Sequence, residues 1–295
     1  MPGFMPQEWS RTPGGARRCG RGGSRGPRFA AEFANRPSHT SLPATGCRSH
    51  LGGMNEAKVH WLGKRIARAQ REFGMFATGD RVLVALSGGK DSSALLHVLT
   101  TWARTSGLEL VIGAVHVEVA GAPRRREVLR KLADGAGVEL AFTAFTPDPA
   151  GPGPDGRTTH PCFRCGRLRR EALLRFAADH GWTCVALGHH LDDDAETVLM
   201  NQLYRGEIRG LAPVRAYADG RLRVVRPLIM AEERELADLA RGFATEPFAC
   251  ACPDGRPEPP DSARQAIKAF LRSLGREATL ARRHLQRLGQ RERRP

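Results

Sequence analysis

Residues 81–99 read RVLVALSGGKDSSALLHVL, and this stretch decides the architecture. Arg81 to Leu86 is a short apolar run, the pattern of a buried strand. Ala94, Leu95, Val98, Leu99 and Trp102 then recur at helical spacing on one face. Between the two stand Ser87, Gly88, Gly89, Lys90, Asp91 and Ser92. A strand that turns through two glycines into a helix points consecutive N–H groups, and the positive end of the helix dipole, at one place. Lys90 brings a charge that can neutralise a phosphate there, and Ser87 and Ser92 bring hydroxyl donors. The competing reading is a plain glycine turn in which Asp91 or Ser92 caps the helix. Neither GxxxxGK[ST] nor GxGxxG occurs, which excludes the usual kinase, GTPase and dehydrogenase loops.

Working outward, strand-like runs recur at Leu108–Val117, Val138–Phe145 and Thr183–Gly188. Helical stretches separate them, one with Leu168, Ala172, Leu173 and Phe176 on a single face. Strands alternating with helices predict an α/β fold with an open, mostly parallel, doubly wound sheet. After RVVRPL (Arg223–Leu228) the pattern is helical and basic, with no further strand. The predicted division is a core domain over 54–230 and a helical basic region over 231–295. Residues 1–53, crowded with Gly, Pro, Arg and Ser, read as a disordered basic extension or as sequence upstream of a start at Met54. The Pro/Gly-rich run Pro147–Pro161 reads as a mobile loop.

In an open parallel sheet, ligands gather beyond the carboxyl ends of the strands. The fourth predicted strand runs at that end into GHHLDDDAETVLMNQLYRG, with Gly188, His189, His190, Asp192, Asp193, Asp194, Glu196 and Thr197. Carboxylates there can face a nucleotide held by Ser87 to Ser92, an arrangement that makes sense if Mg²⁺ bridges them. Asp193 can instead serve as a general base. Asp194 reads as a solvated acid of the first helical turn, stabilised by the dipole.

The 295 residues carry 46 Lys and Arg against 31 Asp and Glu, a formal charge of +15 that suits a phosphate-bearing partner such as RNA. The hydrophobic fraction of 41% is too high for a wholly disordered chain. No run of about 18 apolar residues predicts a membrane span, and no apolar segment near the start marks a secretory signal, so a reducing cytoplasm is the expected compartment. The seven cysteines are unevenly placed: Cys19 and Cys47 lie in the low-complexity start, Cys184 in a predicted strand, and Cys162/Cys165 and Cys250/Cys252 form tight pairs. CxxC followed much later by CxC suggests a metal or cluster, and a structural Cys₄ zinc site is one reading.

SGGKDS after a strand resembles the pyrophosphate-binding loop of the PP-loop ATPases. GHxxDDxxET resembles the second motif of their tRNA-modifying members, in the same order. With the cysteines, the arrangement resembles the family that makes 2-thiocytidine in tRNA. The resemblance runs from about Met54 to Leu274 and includes CGRLRR, GLAPV, RPL and RQAIKAFL. It implies a PP-loop (adenine nucleotide α-hydrolase-like) fold, with ATP and Mg²⁺ bound by Ser87, Gly88, Gly89, Lys90, Asp91, Ser92, Gly188, Asp192 and Asp193. It implies catalytic roles for Lys90 and Asp193, and a [4Fe-4S] cluster on Cys162, Cys165 and a third cysteine, Cys252 in preference to Cys250. The implied partners are tRNA and a cysteine desulfurase or other sulfide donor, without a membrane, and with a homodimer as one arrangement. A Lys that follows the CxxC in related 2-thiouridine enzymes is replaced here by Arg169. The alternatives are a 2-thiouridine synthetase or a lysidine-type ligase of the same superfamily, or a non-catalytic, zinc-stabilised RNA-binding module.

Overall fold

The computed structural model describes residues 53–122, 125–147, 161–242 and 263–291. Six strands form one sheet: β1 (Arg81–Ala85), β2 (Val111–Val119), β3 (Leu140–Phe145), β4 (Cys184–Ala186), β5 (Val214–Tyr217) and β6 (Leu222–Val225). Their order is β3-β2-β1-β4-β6-β5, and every pairing is parallel except that of β5 with β6. The helices are α1 (Gly53–Phe73), α2 (Lys90–Ala103), α3 (Arg126–Ala136), α4 (Pro161–Asp179), α5 (Leu191–Arg205), α6 (Glu233–Ala240), α7 (Ala263–Ser273) and α8 (Ala278–Arg291). No helix among the described residues is long and apolar enough to cross a membrane.

The order of the strands makes the site. From β1 the chain winds outward through α2 to β2 and through α3 to β3, then returns to the other side of β1 as β4. The β1/β4 boundary is therefore the switch point at which loops diverge and leave a crevice. Val84 pairs with Ala186, so the segments following β1 and β4 leave the sheet side by side.

Helix α2 is buried on all sides from Ser92 to Thr100, not only on its apolar face. Its sheet-facing side meets Val82, Val84, Ala114 and Ala186, and α1 covers the other side with Val59, Leu62, Ile66 and Ala69, spaced along one stripe. This second layer explains why polar Ser93, His97 and Thr100 lie inside: Thr100 Oγ1 donates to the Leu96 carbonyl at 2.9 Å. Burial lowers the His97 pKa to about 4, so its ring is neutral at pH 7.

The four predicted parallel strands are present, with β2 beginning three residues after the predicted Leu108 and β4 reduced to three residues. Cys184 is fully buried in β4, as its place in an apolar run suggested, and burial pushes its thiol up to about 12. β5 escaped the sequence reading. It is a short antiparallel edge strand with its middle residues exposed, so it has no apolar run, and it joins β6 through a tight turn in which Asp219 and Gly220 take positive φ. The Asp-Gly pair between VRAY and LRVV was the available signal.

Candidate active site

Loop 87–92 is closed by its own side chains. Ser87 N–H donates to Ser92 Oγ at 3.1 Å, the two hydroxyls lie 2.9 Å apart, and Ser92 Oγ donates to the Gly89 carbonyl at 3.0 Å. Gly88 has φ +83°, a conformation costly for any residue with a Cβ. Gly89 is the extended N-cap of α2, so the first N–H groups of that helix have no intrahelical acceptor. The loop is thus more than a capped turn. Its serines are spent on holding its shape, and Asp91 pairs with Lys90 instead of capping the helix.

Gly188, at the end of β4, lies against this loop. A Cβ there would be 3.1 Å from Asp91 C and O and from Ser92 N, so a hydrogen at this position lets the two segments touch. Two residues on, the ring of buried His190 lies beside both segments: its Nε2 is 3.4 Å from Asp193 Oδ2 and 3.8 Å from Asp91 Oδ1. His190 N–H also donates to Asp193 Oδ2 at 3.1 Å. His189 is neutral at pH 7, its pKa lowered to about 4 first by burial and then by Arg226.

The acids of the second motif do different jobs. Asp192 is buried, accepts the Glu233 N–H at 2.7 Å and lies 3.1 Å from Arg282 Nε. Asp193 accepts from Arg264 at 2.7 Å, and the same guanidinium reaches Glu196 at 3.2 Å. Burial raises the Glu196 pKa against the pull of Arg264 and Lys268. Asp194 corrects the sequence reading: it is fully buried, not solvated. Its carboxylate accepts the Leu211 N–H and the Gln290 side-chain amide, tying the GLAPV segment and α8 to α5.

Lys90 is paired with two acids. Its Nζ lies 2.8 and 2.9 Å from the Asp91 oxygens and 3.1 Å from Glu233 Oε1. Burial works against the charge, but Asp91 and Glu233 outweigh it and hold the ammonium above its ordinary value. Burial would raise the Glu233 pKa, yet Lys90 and then Lys268, 3.4 Å away, bring it down to about 2. Glu233, Arg264, Lys268 and Arg282 were not among the candidate residues. The signal for two of them was RQAIK, which places a guanidinium and an ammonium four residues apart on one helical face.

Cys162 and Cys165 lie in the first two turns of α4, half-buried and three residues apart, hence on the same side. A helix N-terminus favours thiolate and therefore metal ligation. This donor pair fits two corners of a thiolate-held cluster. The third expected ligand, Cys252, and its neighbour Cys250 lie outside the described residues, as do Cys19, Cys47 and most of the predicted loop at Pro147–Pro161. Among the described residues no three His, Cys, Asp or Glu side chains converge as a ready cation cage. Mg²⁺ commonly takes only one or two carboxylates and completes its shell with phosphate oxygens and water, a set that Asp192 and Asp193 can join.

The family profile of the PP-loop domain matches residues 62–246, spanning both motifs and Cys162 and Cys165. The tRNA-cytidine(32) 2-sulfurtransferase of Geobacter metallireducens is 32% identical over 240 residues, covering 79% of this chain and 90% of that protein. The enzyme of the same name from an Anaeromyxobacter species is 35% identical over 225 residues, covering 74% and 73%. Among solved structures, the U34-tRNA thiolase NcsA from Methanococcus maripaludis, with its [4Fe-4S] cluster, superposes with a TM-score of 0.62. It is 22% identical and covers 80% of each chain, a likeness of fold. The loop at the switch point, the motif beside it and these relatives together make the chain a member of the PP-loop family, in its tRNA-cytidine(32) 2-sulfurtransferase branch.

Proposed function

We propose that the protein is an ATP-dependent tRNA thiolase that replaces the C2 oxygen of cytidine 32 with sulfur. One observation carries the reading: Gly188 brings the GHxxDDxxET segment into contact with the SGGKDS loop, and the His190 ring lies within 4 Å of both Asp91 and Asp193, so the two motifs adjoin at the switch point. ATP lies there with its pyrophosphate on the loop N–H groups and Lys90. The cytidine C2 oxygen attacks the α-phosphorus, the bond to pyrophosphate breaks, and Lys90 stabilises the charge that leaves. Asp192 and Asp193 would hold Mg²⁺, which would offset phosphate charge, or Asp193 would take a proton. Hydrosulfide sulfur then forms a bond to the activated C2, and AMP departs with the original oxygen. A [4Fe-4S] cluster on Cys162, Cys165 and Cys252 would supply an iron with an open position for that sulfur. The basic surface accounts for tRNA as substrate, and the relatives' names favour cytidine over uridine or a lysidine-type product.

Protein purified without oxygen and supplied with ATP, sulfide and unmodified tRNA is expected to form 2-thiocytidine with one AMP and one pyrophosphate per base. ADP and phosphate as products would overturn the adenylation step, and 2-thiouridine would overturn the choice of base. Metal analysis of the same sample separates the readings of the cysteines. Zinc without iron, in protein that still thiolates tRNA, rejects the cluster.

A further inference from the structure

Between α1 and α8 lies a cleft of about 390 Å³ whose lining includes Arg65 and Arg68 from α1 and Arg283, Arg287 and Arg291 from α8, against Glu72 and Glu232. Two of these five guanidinium groups are matched within the fold: Arg65 by Glu235 at 3.0 Å and Arg283 by Glu232. Arg68, Arg287 and Arg291 are exposed and form neither ion pair nor hydrogen bond among the described residues. On α8 the three arginines are four residues apart, so they climb one face in steps of about 6 Å. Like charges at this spacing destabilise a helix, and neither Arg287 nor Arg291 has a carboxylate partner among the described residues. An anion that bridges them removes the repulsion.

The cleft shares Leu191 and Glu232 with a second one of about 270 Å³ that reaches Asp192 and Glu233, the partner of Lys90. The basic cleft therefore adjoins one that Asp192 of the second motif lines.

We propose that this cleft binds the phosphate backbone of the substrate RNA, with Arg68, Arg287 and Arg291 as the contacts; the proposal rests on the tRNA reading above. Guanidinium forks suit phosphate oxygens, and a row of them suits a polyanion more than a single ion. A protein partner is disfavoured by the lining, in which Leu191 and Met230 are the only large apolar residues. Protein interfaces place aromatic and apolar anchors at their centres.

The test compares the full-length protein with two triple variants, each short of three positive charges: Arg68→Gln/Arg287→Gln/Arg291→Gln in the cleft, and Arg104→Gln/Arg130→Gln/Arg221→Gln elsewhere on the surface. Binding of an unmodified tRNA transcript is titrated at several salt concentrations. The cleft variant is expected to bind about tenfold more weakly or worse, with a log–log salt dependence shallower by about 2 to 3, while the control stays within roughly twofold of the native protein. ATP binding unchanged in both variants verifies the fold. Equal weakening of the two variants, or none in either, overturns the proposal. So does loss of binding to a sulfide-donor protein with tRNA affinity intact. Nucleoside analysis in parallel keeps the two readings apart: a native protein that binds tRNA through the cleft but forms no 2-thiocytidine refutes the function and leaves the cleft standing.

Discussion

The SGGKDS loop and the acidic motif meet at Gly188 but are held in different ways. The hydrogen bonds of the loop's serines join residues at most five apart, such as Ser87 to Ser92, while the Lys90 ammonium reaches far along the chain, to Glu233. The acids of GHHLDDDAET are held from far along the chain: Asp193 by Arg264 and Asp194 by Gln290. A locally closed loop keeps its shape wherever its strand and helix are formed. The pairings of Asp193 with Arg264 and of Asp194 with Gln290 form only when α7 and α8 have docked. The phosphate grip is thus built into the sheet, while the acids beside it depend on the end of the chain.

The largest expected effect tests the grip alone. Lys90→Ala removes the charge facing the leaving pyrophosphate and is expected to lower kcat by about a hundredfold or more. Thermal stability should change little, because the Lys90 side chain is about one-third exposed. A variant that unfolds would show that the loop depends on its ion pairs and would erase the contrast between the two regions.

Acid should act through buried histidines. His97 and His189 titrate near 4 in the folded protein against 6.5 when unfolded. Between those values the unfolded chain binds more protons, so stability is full above pH 6.5 and falls as the pH drops toward 4. The loss is expected to be on the order of 3 kcal/mol for His97, and His97→Gln should flatten denaturation midpoints measured across this window.

Asp194→Ala leaves the Leu211 N–H and the Gln290 amide without their buried acceptor. Destabilisation of about 2 kcal/mol is expected, with faster amide exchange in α8 than in α2. Uniform exchange across both helices would mean that α8 and the sheet unfold as one unit.

The smallest effect sharpens the link between the two regions. Glu233 holds Lys90 at 3.1 Å, and with its pKa brought down to about 2 it stays charged well below the ordinary carboxylate range. Glu233→Gln should release Lys90 toward phosphate and lower the KM for ATP a few-fold, with kcat within about threefold. A higher KM would show that Glu233 positions Lys90 for ATP instead of competing with it.

The loop was legible because its information is local: strand, two glycines, lysine and amphipathic helix follow within nineteen residues. The winding of the sheet was legible from alternation alone. Edge strand β5 was not, because a strand exposed along its middle has no apolar signature. The error at Asp194 is of the same kind. Three successive aspartates look alike along the chain, but a helix turns each by about 100°, so one meets α8, one Arg264 and one the Glu233 N–H.

By itself the sequence determined a doubly wound sheet, a phosphate-gripping turn after its first strand and an acidic motif after its fourth. Apolar periodicity, glycine and charge act within a few residues, where the order along the chain is also the order in space. Only the tertiary structure decided that Glu233 holds Lys90, that Arg264 and Arg282 neutralise the motif, and that arginines of α1 and α8 line one cleft. Those pairings join groups far apart in sequence, and which charge meets which is fixed by how the helices stack on the sheet, a choice the apolar core makes.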